Sequence, residues 1–279
     1  MPSVGLLHPG AMGAAVGAVL TRAGTPVSWV PAGRGPATRR RAEAAGLTEV
    51  PDIAALAGCD VVLSVCPPAA ALDVARAVAA TGFAGVYLDA NAISPGHAEE
   101  VAALFGGTAT VADGGIVGPP PRSAGTTRLY LSGPDAAVTR LASLFEGTHV
   151  RPVVLAGPVG RASALKLAFA AYNKLTFALA AQSYALAEHH GVGGELRELA
   201  ADVLPATPLS APDGIASAGR RAWRWEGEMT EIAQACAAAG LSPALLDAVR
   251  ELFARWREHR DDDGVTLADL LQALVSPPG

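Results

Sequence analysis

The amino-acid sequence predicts a two-part protein, with an α/β N-terminal half and an all-α C-terminal half joined by a long interdomain helix. Two observations indicate this fold. From residue 1 to about residue 155, short apolar runs alternate with Ala-rich helical stretches, which is the pattern of βαβ units in a mainly parallel sheet. After Gly157 no further strand pattern occurs, and Arg161–His190 has the pattern of one long helix that ends at Gly191.

The N-terminal half, residues 1–157, is predicted to alternate strands with helices along its whole length. The strands are expected at Val4–Leu7, Val27–Val30, Val61–Val65, Val86–Leu88, Thr108–Ala112, Arg128–Leu131 and Val150–Leu155. The helices are expected at Ala11–Ala23, Thr38–Ala45, Ala69–Ala80, Pro95–Leu104 and Ala136–Phe145. The C-terminal half, residues 158–279, is expected to hold, after the long helix, helices at Gly194–Val203, Gly219–Ala239, Pro243–Arg260 and Leu267–Val275.

Composition and charge exclude several classes of protein. The 279 residues are 51% hydrophobic and 17% charged, which is not the composition of a disordered chain. The net charge is −5 and no face rich in Lys and Arg is apparent, so we expect no nucleic-acid partner. The longest apolar region, Ala162–Ala187, is interrupted by Lys166, Lys174 and uncharged polar residues, which argues against a membrane span.

Cysteine and histidine patterns give no support for a metal site or a disulfide framework. Cys59, Cys66 and Cys236 form no C-x-x-C pair. His189 and His190 are adjacent on a helix and face different directions, so they do not suggest a shared ligand site. The N-terminus carries no basic segment before its first apolar run, and a cytoplasmic location is the expectation.

A glycine-containing turn between the first strand and the first helix predicts a dinucleotide site. The pattern G-x-G-x-x-G is expected there, and Gly10 and Gly13 fill its second and third places while His8 takes the first. The helix that begins near Ala11 would direct its N-terminal amides at a pyrophosphate. The expected contacts of this turn with the cofactor are His8, Pro9, Gly10, Ala11, Met12 and Gly13.

The end of the second strand predicts NADP in preference to NAD. An NAD enzyme typically carries Asp or Glu there for the ribose 2′-hydroxyl, but no acidic residue lies between Val27 and Arg41. Gly33 and Arg34 are followed by Arg39, and a 2′-phosphate is well matched by guanidinium groups. A solvated basic helix face accounts for Arg40 and Arg41 but less readily for Arg34 in its glycine-flanked loop.

Five sequence blocks, in order, resemble the β-hydroxyacid dehydrogenase and 6-phosphogluconate-dehydrogenase-like superfamily, which includes imine reductases. The blocks cover roughly the first 190 residues and are Gly10–Gly13, Asp60–Pro67, Leu88–Pro95, Asp113–Gly118 with Gly125–Thr126, and Gly157–Gly160 followed by Ser163 and Lys166. The resemblance implies reversible hydride transfer between NAD(P) and a substrate alcohol or carbonyl. It also implies that Val65, Cys66, Pro67 and Asn91 border the cofactor.

The resemblance places a catalytic lysine at Lys166 and substrate-binding residues around it. The substrate set is Asn91, Gly115, Val117, Gly118, Asn173 and Lys174. Three positions depart from the family pattern: His8 replaces a glycine, Val117 stands where a serine is common, and Ala170 where an asparagine is common. Asn173 is a candidate stand-in for that asparagine. It follows Lys166 by seven residues, and residues seven apart lie within roughly 20° of each other on a helix, so the two share a face.

Lysine usage supports the choice of Lys166. Only two of the 21 cationic Lys and Arg residues are lysines, Lys166 and Lys174. An ammonium group can stabilise negative charge on a carbonyl oxygen and deliver a proton, whereas a guanidinium stays protonated. Burial would lower the pKa of such a lysine. A lysine that extends along a helix surface is the structural alternative, and Lys174 and Tyr172 are further candidates for the same cleft.

The sequence therefore predicts an NADP-dependent oxidoreductase acting on a small-molecule alcohol or carbonyl. An imine reductase, with C=N in place of C=O, is one alternative. A non-catalytic NADP-binding sensor is another. Since a long apolar helix cannot bury itself alone, we expect a homodimer with the active site at the subunit boundary.

Overall fold

The computed structural model describes residues 2–275 of the chain. Met1 and residues 276–279, which the predicted domain ranges include, lie outside the described residues. The chain divides into two compact units, Met1–Leu167 and Ala168–Gly279. The division falls within the long helix, whose first turns therefore belong to the first unit.

The first unit is built on one eight-stranded sheet. Its strands follow the order β3-β2-β1-β4-β5-β6-β7-β8, and every neighbouring pair is parallel except β6 and β7. The strands are β1 Val4–Leu7, β2 Val27–Trp29, β3 Thr48–Glu49, β4 Val61–Ser64, β5 Val86–Asp89, β6 Thr110–Val117, β7 Thr127–Ser132 and β8 Val150–Val154. The helices are α1 Ala11–Arg22, α2 Pro36–Ala44, α3 Ala71–Ala79, α4 Pro95–Leu104, α5 Asp135–Phe145 and the first turns of α6 Arg161–His189.

Both faces of this sheet are buried, which explains the continuous apolar runs of its central strands. Leu6 and Leu63 pack with α1 and α5 on one face. Leu7 follows Leu6 and Val62 precedes Leu63 in the sequence, and these two side chains pack with α3 and α4 on the other face of the sheet. The alternation follows from the two-residue period of a strand, so a run such as Val-Val-Leu supplies both layers of the core.

In the described range 168–275, the regular secondary structure of the second unit consists of helices, joined by turns and loops. After α6 it contains α7 Gly193–Val203, α8 Asp213–Gly219, α9 Trp225–Ala238, α10 Ala244–Ala254 and α11 Leu267–Val275. An aromatic group formed by Phe177, Trp225, Phe253 and Trp256 lies inside it, with ring centroids 5.3–6.2 Å apart. The Trp256 indole donates a hydrogen bond to the Leu270 carbonyl oxygen at 3.1 Å, which ties α11 to this group.

Two predicted helices of the second unit are wrong in extent. The expected helix Gly219–Ala239 is two helices, α8 and α9, separated by a short 3-10 turn at Ala222–Arg224. The Arg220 carbonyl accepts a hydrogen bond from the Asp261 amide at 2.9 Å and Gly219 lies against Leu270, so the backbone turns here to meet α11. The helix expected to reach Arg260 ends at Ala254, and Arg257–His259 forms a separate 3-10 turn.

The sixth strand is longer than predicted. The expected strand Thr108–Ala112 runs as β6 to Val117, so the glycines Gly114 and Gly115 lie within a strand. Antiparallel pairing with β7 extends it, since Val117 pairs with Arg128 and Asp113 with Ser132. Within the described part of the chain, no helix combines the length and hydrophobicity that a membrane span requires.

Asp113 fixes the start of α6 to the sheet. Its carboxylate, 1% exposed, accepts hydrogen bonds from the amides of Gly160 and Ser163, both at 2.9 Å. It also accepts from the hydroxyls of Ser163 at 2.6 Å and Ser132 at 3.1 Å. A carboxylate at this position satisfies N-terminal amides of the helix and complements its dipole.

We expect Asp113→Ala to lower the free energy of unfolding by about 3–5 kcal/mol, because four buried donors lose their charged acceptor. Urea denaturation followed by circular dichroism measures the change. Asp73→Ala is the matched control, since Asp73 is 80% exposed and pairs with Arg76 at the surface, and a loss below about 1 kcal/mol is expected. Equal losses in the two variants would contradict the anchoring role of Asp113.

Candidate functional site

The strand order of the first unit reverses direction at β1, a topology that forms a crevice at the carboxyl ends of the strands. From β1 the chain proceeds through β2 and β3 on one side, and then through β4, β5 and β6 on the other. The connections on the two sides therefore diverge at the carboxyl ends of β1 and β4. In open parallel sheets this is the place where ligands bind.

The turn after β1 leaves the N-terminus of α1 open. Gly10 is the N-cap, no side chain caps the helix, and a Cβ added at Gly10 would meet no atom within 4 Å. A Cβ at Gly13 would lie 2.1 Å from the His8 carbonyl oxygen, so the close approach of α1 to this turn requires glycine there. The arrangement combines open space with the positive end of a helix, which suits a phosphate group.

His8 occupies the crevice in place of the first glycine of the pattern. Its Nε2 lies 2.8 Å from Nη2 of Arg34. Burial, together with the Arg34 charge, lowers the pKa of His8 to about 4, so the ring is neutral at neutral pH. A guanidinium only donates, so Nε2 is the acceptor and Nδ1 carries the proton of the neutral ring.

Two buried donors remain without a protein partner at this place. Among the described residues, neither Nδ1 of His8 nor Nε of Arg34 has a hydrogen-bond partner. Buried polar groups are normally satisfied, so the two atoms indicate an absent acceptor. The donor chemistry, one N–H and one guanidinium, is that of a phosphate site.

The other arginines of this region divide into two groups. Arg41 Nε donates to the Pro9 carbonyl oxygen at 3.3 Å, so Arg41 supports the turn and is not simply part of a solvated helix face. Arg39 is exposed, donates to the Pro31 carbonyl oxygen at 3.1 Å and lies 3.5 Å from the Glu49 carboxylate. Gly33 is exposed with a φ of +70°, which allows the loop that carries Arg34.

Asn91, itself buried, positions the loop Val65–Pro67 through a hydrogen-bond network. Its Oδ1 accepts from the Cys66 amide at 2.6 Å, and its Nδ2 donates to the Ser64 hydroxyl at 3.0 Å and to Asp89 at 2.9 Å. Burial raises the pKa of the Cys66 thiol to about 12, so Cys66 stays protonated. Met12, Val65 and Cys66 are half-buried, Pro9 is buried, and Ala11 and Pro67 are exposed.

Lys166 lies over β6 at Gly115. A Cβ at Gly115 would come within 2.7 Å of the Ala162 carbonyl oxygen and 3.1 Å of Lys166 Cβ, so the glycine allows α6 to approach the strand. Lys166 itself is half-buried. Beyond it, Val117 is half-buried and Gly118 is exposed with a φ of +117°.

Asp89, to which the sequence analysis gave no role, is buried at the end of β5 and interacts electrostatically with Lys166. Burial, with a smaller contribution from the neighbouring Asp113 charge, raises the pKa of Asp89 to about 7. The amide and side-chain donors of Asn91 and the charge of Lys166 oppose that rise. An acid at the end of a strand that is otherwise apolar is the signal that could have identified it, since Asp is rarely buried without a partner.

In the second unit, Asn173 and Lys174 have different surroundings. Tyr172 and Asn173 are exposed and line a cavity of about 570 Å³, whose other wall runs from Leu204 to Gly214. Lys174 is buried, with its ammonium 2.8 Å from the Glu228 carboxylate and 5.5 Å from the centre of the Trp225 ring. Its charge is therefore neutralised within the unit. Among residues 2–275, no group of three or more His, Cys, Asp or Glu side chains is placed to hold a metal ion.

Comparison with protein families gives one match in the C-terminal part. Residues 187–256 match the family described as "Domain of unknown function (DUF1932)". No curated protein matches the sequence.

Solved structures match nearly the whole chain. A conserved protein of unknown function, MTH1747, is 25% identical with a TM-score of 0.71, covering 92% of this chain and 97% of its own, and is described as structurally similar to 3-hydroxyacid dehydrogenases. The 3-hydroxyisobutyrate dehydrogenase of Mycobacterium tuberculosis, solved with L-serine, is 20% identical with a TM-score of 0.79, covering 99% and 100%. A reductive aminase of Aspergillus terreus, in complex with NADPH and ethyl levulinate, is 21% identical with a TM-score of 0.58, covering 98% and 99%.

These similarities confirm the predicted fold class. An α/β unit with a parallel-rich sheet, a long helix and a helical C-terminal part is common to this chain and to these dehydrogenase and reductase structures.

Proposed function

Because the chain has the fold of the β-hydroxyacid dehydrogenase-like superfamily, as its sequence blocks predicted, we propose that it is an NADP-dependent oxidoreductase. It transfers hydride between the nicotinamide and a small alcohol or carbonyl substrate related to the hydroxyacids. Lys166 is the proton donor and acceptor.

The residues of the crevice fit a dinucleotide with a 2′-phosphate. Gly10 and Gly13 leave room at the N-terminus of α1 for a pyrophosphate. Arg34, with an unpartnered buried Nε and a contact to His8, supplies the cation at the end of β2 where an acidic residue would favour NAD. Arg41 supports the turn through Pro9, while Gly33, Arg39 and the loop Val65–Pro67 complete the proposed lining.

One observation carries the proposal. The turn after β1, with Gly10 and Gly13, and Lys166 belong to the same unit and lie at the same edge of its sheet, where the parallel strands end. The turn follows β1 and Lys166 lies over β6, three strand spacings or about 14 Å away. A dinucleotide binds across such an edge at the switch point. The nicotinamide end of the cofactor would then lie toward Lys166.

Bound NADPH supplies the hydride, and the protein supplies charge stabilisation and a proton. The Lys166 ammonium hydrogen-bonds the substrate oxygen, stabilises the negative charge that grows on it, and donates a proton to it. In the oxidative direction the same amine accepts that proton. Asn91 holds the loop beside the site, and Gly115, Val117 and Gly118 line the substrate side.

Lys166 and not Lys174 is the proton-transfer residue in this proposal. Lys166 belongs to the first unit, as does the turn after β1, whereas the Lys174 ammonium belongs to the second unit, where Glu228 and Trp225 enclose it. Asn173 is exposed and lines the cavity of the second unit. Val117 offers no hydroxyl, so we expect a substrate that is not anchored in the manner of common 3-hydroxyacids.

The exposed face of α6 in the second unit supports a homodimer. Phe169, Tyr172, Leu179 and Leu186 are 53%, 73%, 57% and 62% exposed, and the last three are spaced seven residues apart. A heptad-spaced apolar stripe of this kind is typical of helix–helix association. We propose that a second copy of the chain covers it.

We expect Arg34→Ala to raise the Kd for NADPH about 10–100-fold, because a charge-assisted hydrogen bond to the 2′-phosphate is lost. The Kd for NADH should change little, since NADH lacks that phosphate. Isothermal titration measures both. Arg40→Ala, a change of an exposed arginine on the same segment, is the control and should leave both values as in wild type. Equal wild-type affinity for NADH and NADPH would contradict the NADP assignment.

We expect Lys166→Ala to lower kcat by about 10²–10⁴-fold while the Kd for NADPH stays within about twofold, because general acid catalysis is lost and cofactor binding is not. Turnover is measured with a panel of hydroxyacids, alcohols, carbonyl compounds and imines. Unchanged kcat in the variant would exclude the proton-transfer role. Turnover of imines alone would indicate C=N reduction, and NADPH binding without any turnover would indicate a sensor.

We expect Leu179→Glu to convert a dimer to a monomer, because a carboxylate in an apolar helix contact is costly to bury. Analytical ultracentrifugation measures the mass. Leu245→Glu is the matched control, since Leu245 is 56% exposed on α10 outside the stripe and its replacement should leave the mass unchanged. A wild-type chain that sediments as a monomer at micromolar concentration would refute the dimer.

A further inference from the structure

Asp89 is a buried carboxyl group that the proposed reaction does not use. It is 2% exposed. One carboxylate oxygen accepts a hydrogen bond from the backbone N–H of Asn91 at 3.0 Å, and the other accepts one from the side-chain Nδ2 of Asn91 at 2.9 Å. Burying an acid disfavours its ionised form unless a compensating charge is near. An ionised Asp89 therefore requires such a charge in its surroundings.

The strand register places Asp89 on the face of the sheet that α6 covers. Asp89 pairs with Asp113 across β5 and β6, and residues paired in register point to the same face. The Asp113 carboxylate accepts hydrogen bonds from Ser163 in the first turn of α6. Gly115, two residues further along β6, lies against Lys166. Asp89 is thus one strand spacing, about 5 Å, from the strand on which Lys166 rests.

The charged and titratable groups that interact electrostatically with Asp89 come from several elements. They are Lys166 on α6, Asp113 on β6, Cys66 after β4 and Tyr87 on β5 itself. Burial raises the pKa of both Cys66 and Tyr87, so these two groups are neutral at neutral pH. The Asp113 carboxylate already has four hydrogen-bond donors. Lys166 is the cation whose charge favours ionised Asp89.

We propose that Asp89 is a positioning residue that acts through Lys166, holding its ammonium group in place and in the protonated form by direct charge attraction. The attraction between Asp89 and Lys166 is a property of the folded chain. Its effect on catalysis rests on the proposed function of Lys166. The coupling is reciprocal, so the charge of each group changes the proton affinity of the other by the same amount. Loss of a proton from Asp89 strengthens the attraction.

The presence of only two lysines allows a direct test. Protein labelled with ¹³C at lysine Cε gives two side-chain signals, which the variant Lys166→Met assigns. The titration of both signals is recorded by NMR without cofactor or substrate. In Asp89→Asn, the Lys166 midpoint should fall by on the order of one pH unit, because an opposite charge is removed. The Lys174 midpoint should stay as in wild type, and Asp73→Asn should move neither signal.

The reverse titration keeps the proposal testable if Asp89→Asn does not fold. Lys166→Met alters only a half-buried side chain, so this variant is expected to fold. In it, the ¹³Cγ signal of Asp89 should titrate at higher pH than in wild type, because the cation that favours ionised Asp89 is gone. An Asp89 midpoint equal to the wild-type value, or an unshifted Lys166 signal in a folded Asp89→Asn protein, would overturn the pairing. Neither result depends on NADPH or turnover, so the oxidoreductase proposal would stand or fall separately.

Discussion

The arrangement of the first unit depends on the hydrogen bonds that the Asp113 carboxylate accepts from the start of α6 and from β7. One buried side chain in the middle of β6 accepts four hydrogen bonds, two of them from backbone amides at the start of α6. This contact fixes where the long helix begins and which of its residues face the sheet. Gly115 then allows close approach, and Lys166 lies over β6 as a result.

In the turn after β1, His8 stands where the dinucleotide pattern has its first glycine, and an arginine from the loop after β2 contacts it. The first glycine of the pattern serves a tight turn, and its loss is expected to disturb that turn. Here the imidazole is instead used as a neutral acceptor for Arg34, which joins the loop after β2 to the end of β1. The same contact holds Arg34 at the crevice, so the departure from the pattern and the predicted cofactor preference have one structural origin.

Most of the fold could be predicted because its signals are local. Apolar runs bounded by glycine and proline located β1, β4 and β5 to within a residue or two, and Pro95–Leu104 and Leu267–Val275 are helices with the predicted limits. The break between α8 and α9 could not be predicted, because it depends on Gly219 meeting Leu270 some fifty residues later. The support of the turn by Arg41 and the burial of Asp89 likewise depend on which elements become neighbours, which no local pattern records.

The scarcity of lysine has a consequence for chemical probing of this molecule. Lys174 is enclosed with Glu228 beneath Trp225, whereas Lys166 is only half-buried. A reagent that acylates primary amines therefore meets very few targets on a surface whose cations are arginines. Apart from the chain terminus, its reaction would report mainly on the environment of a single side chain, and a small amine-directed fluorophore would mark the surroundings of Lys166 over β6 without engineering of the sequence.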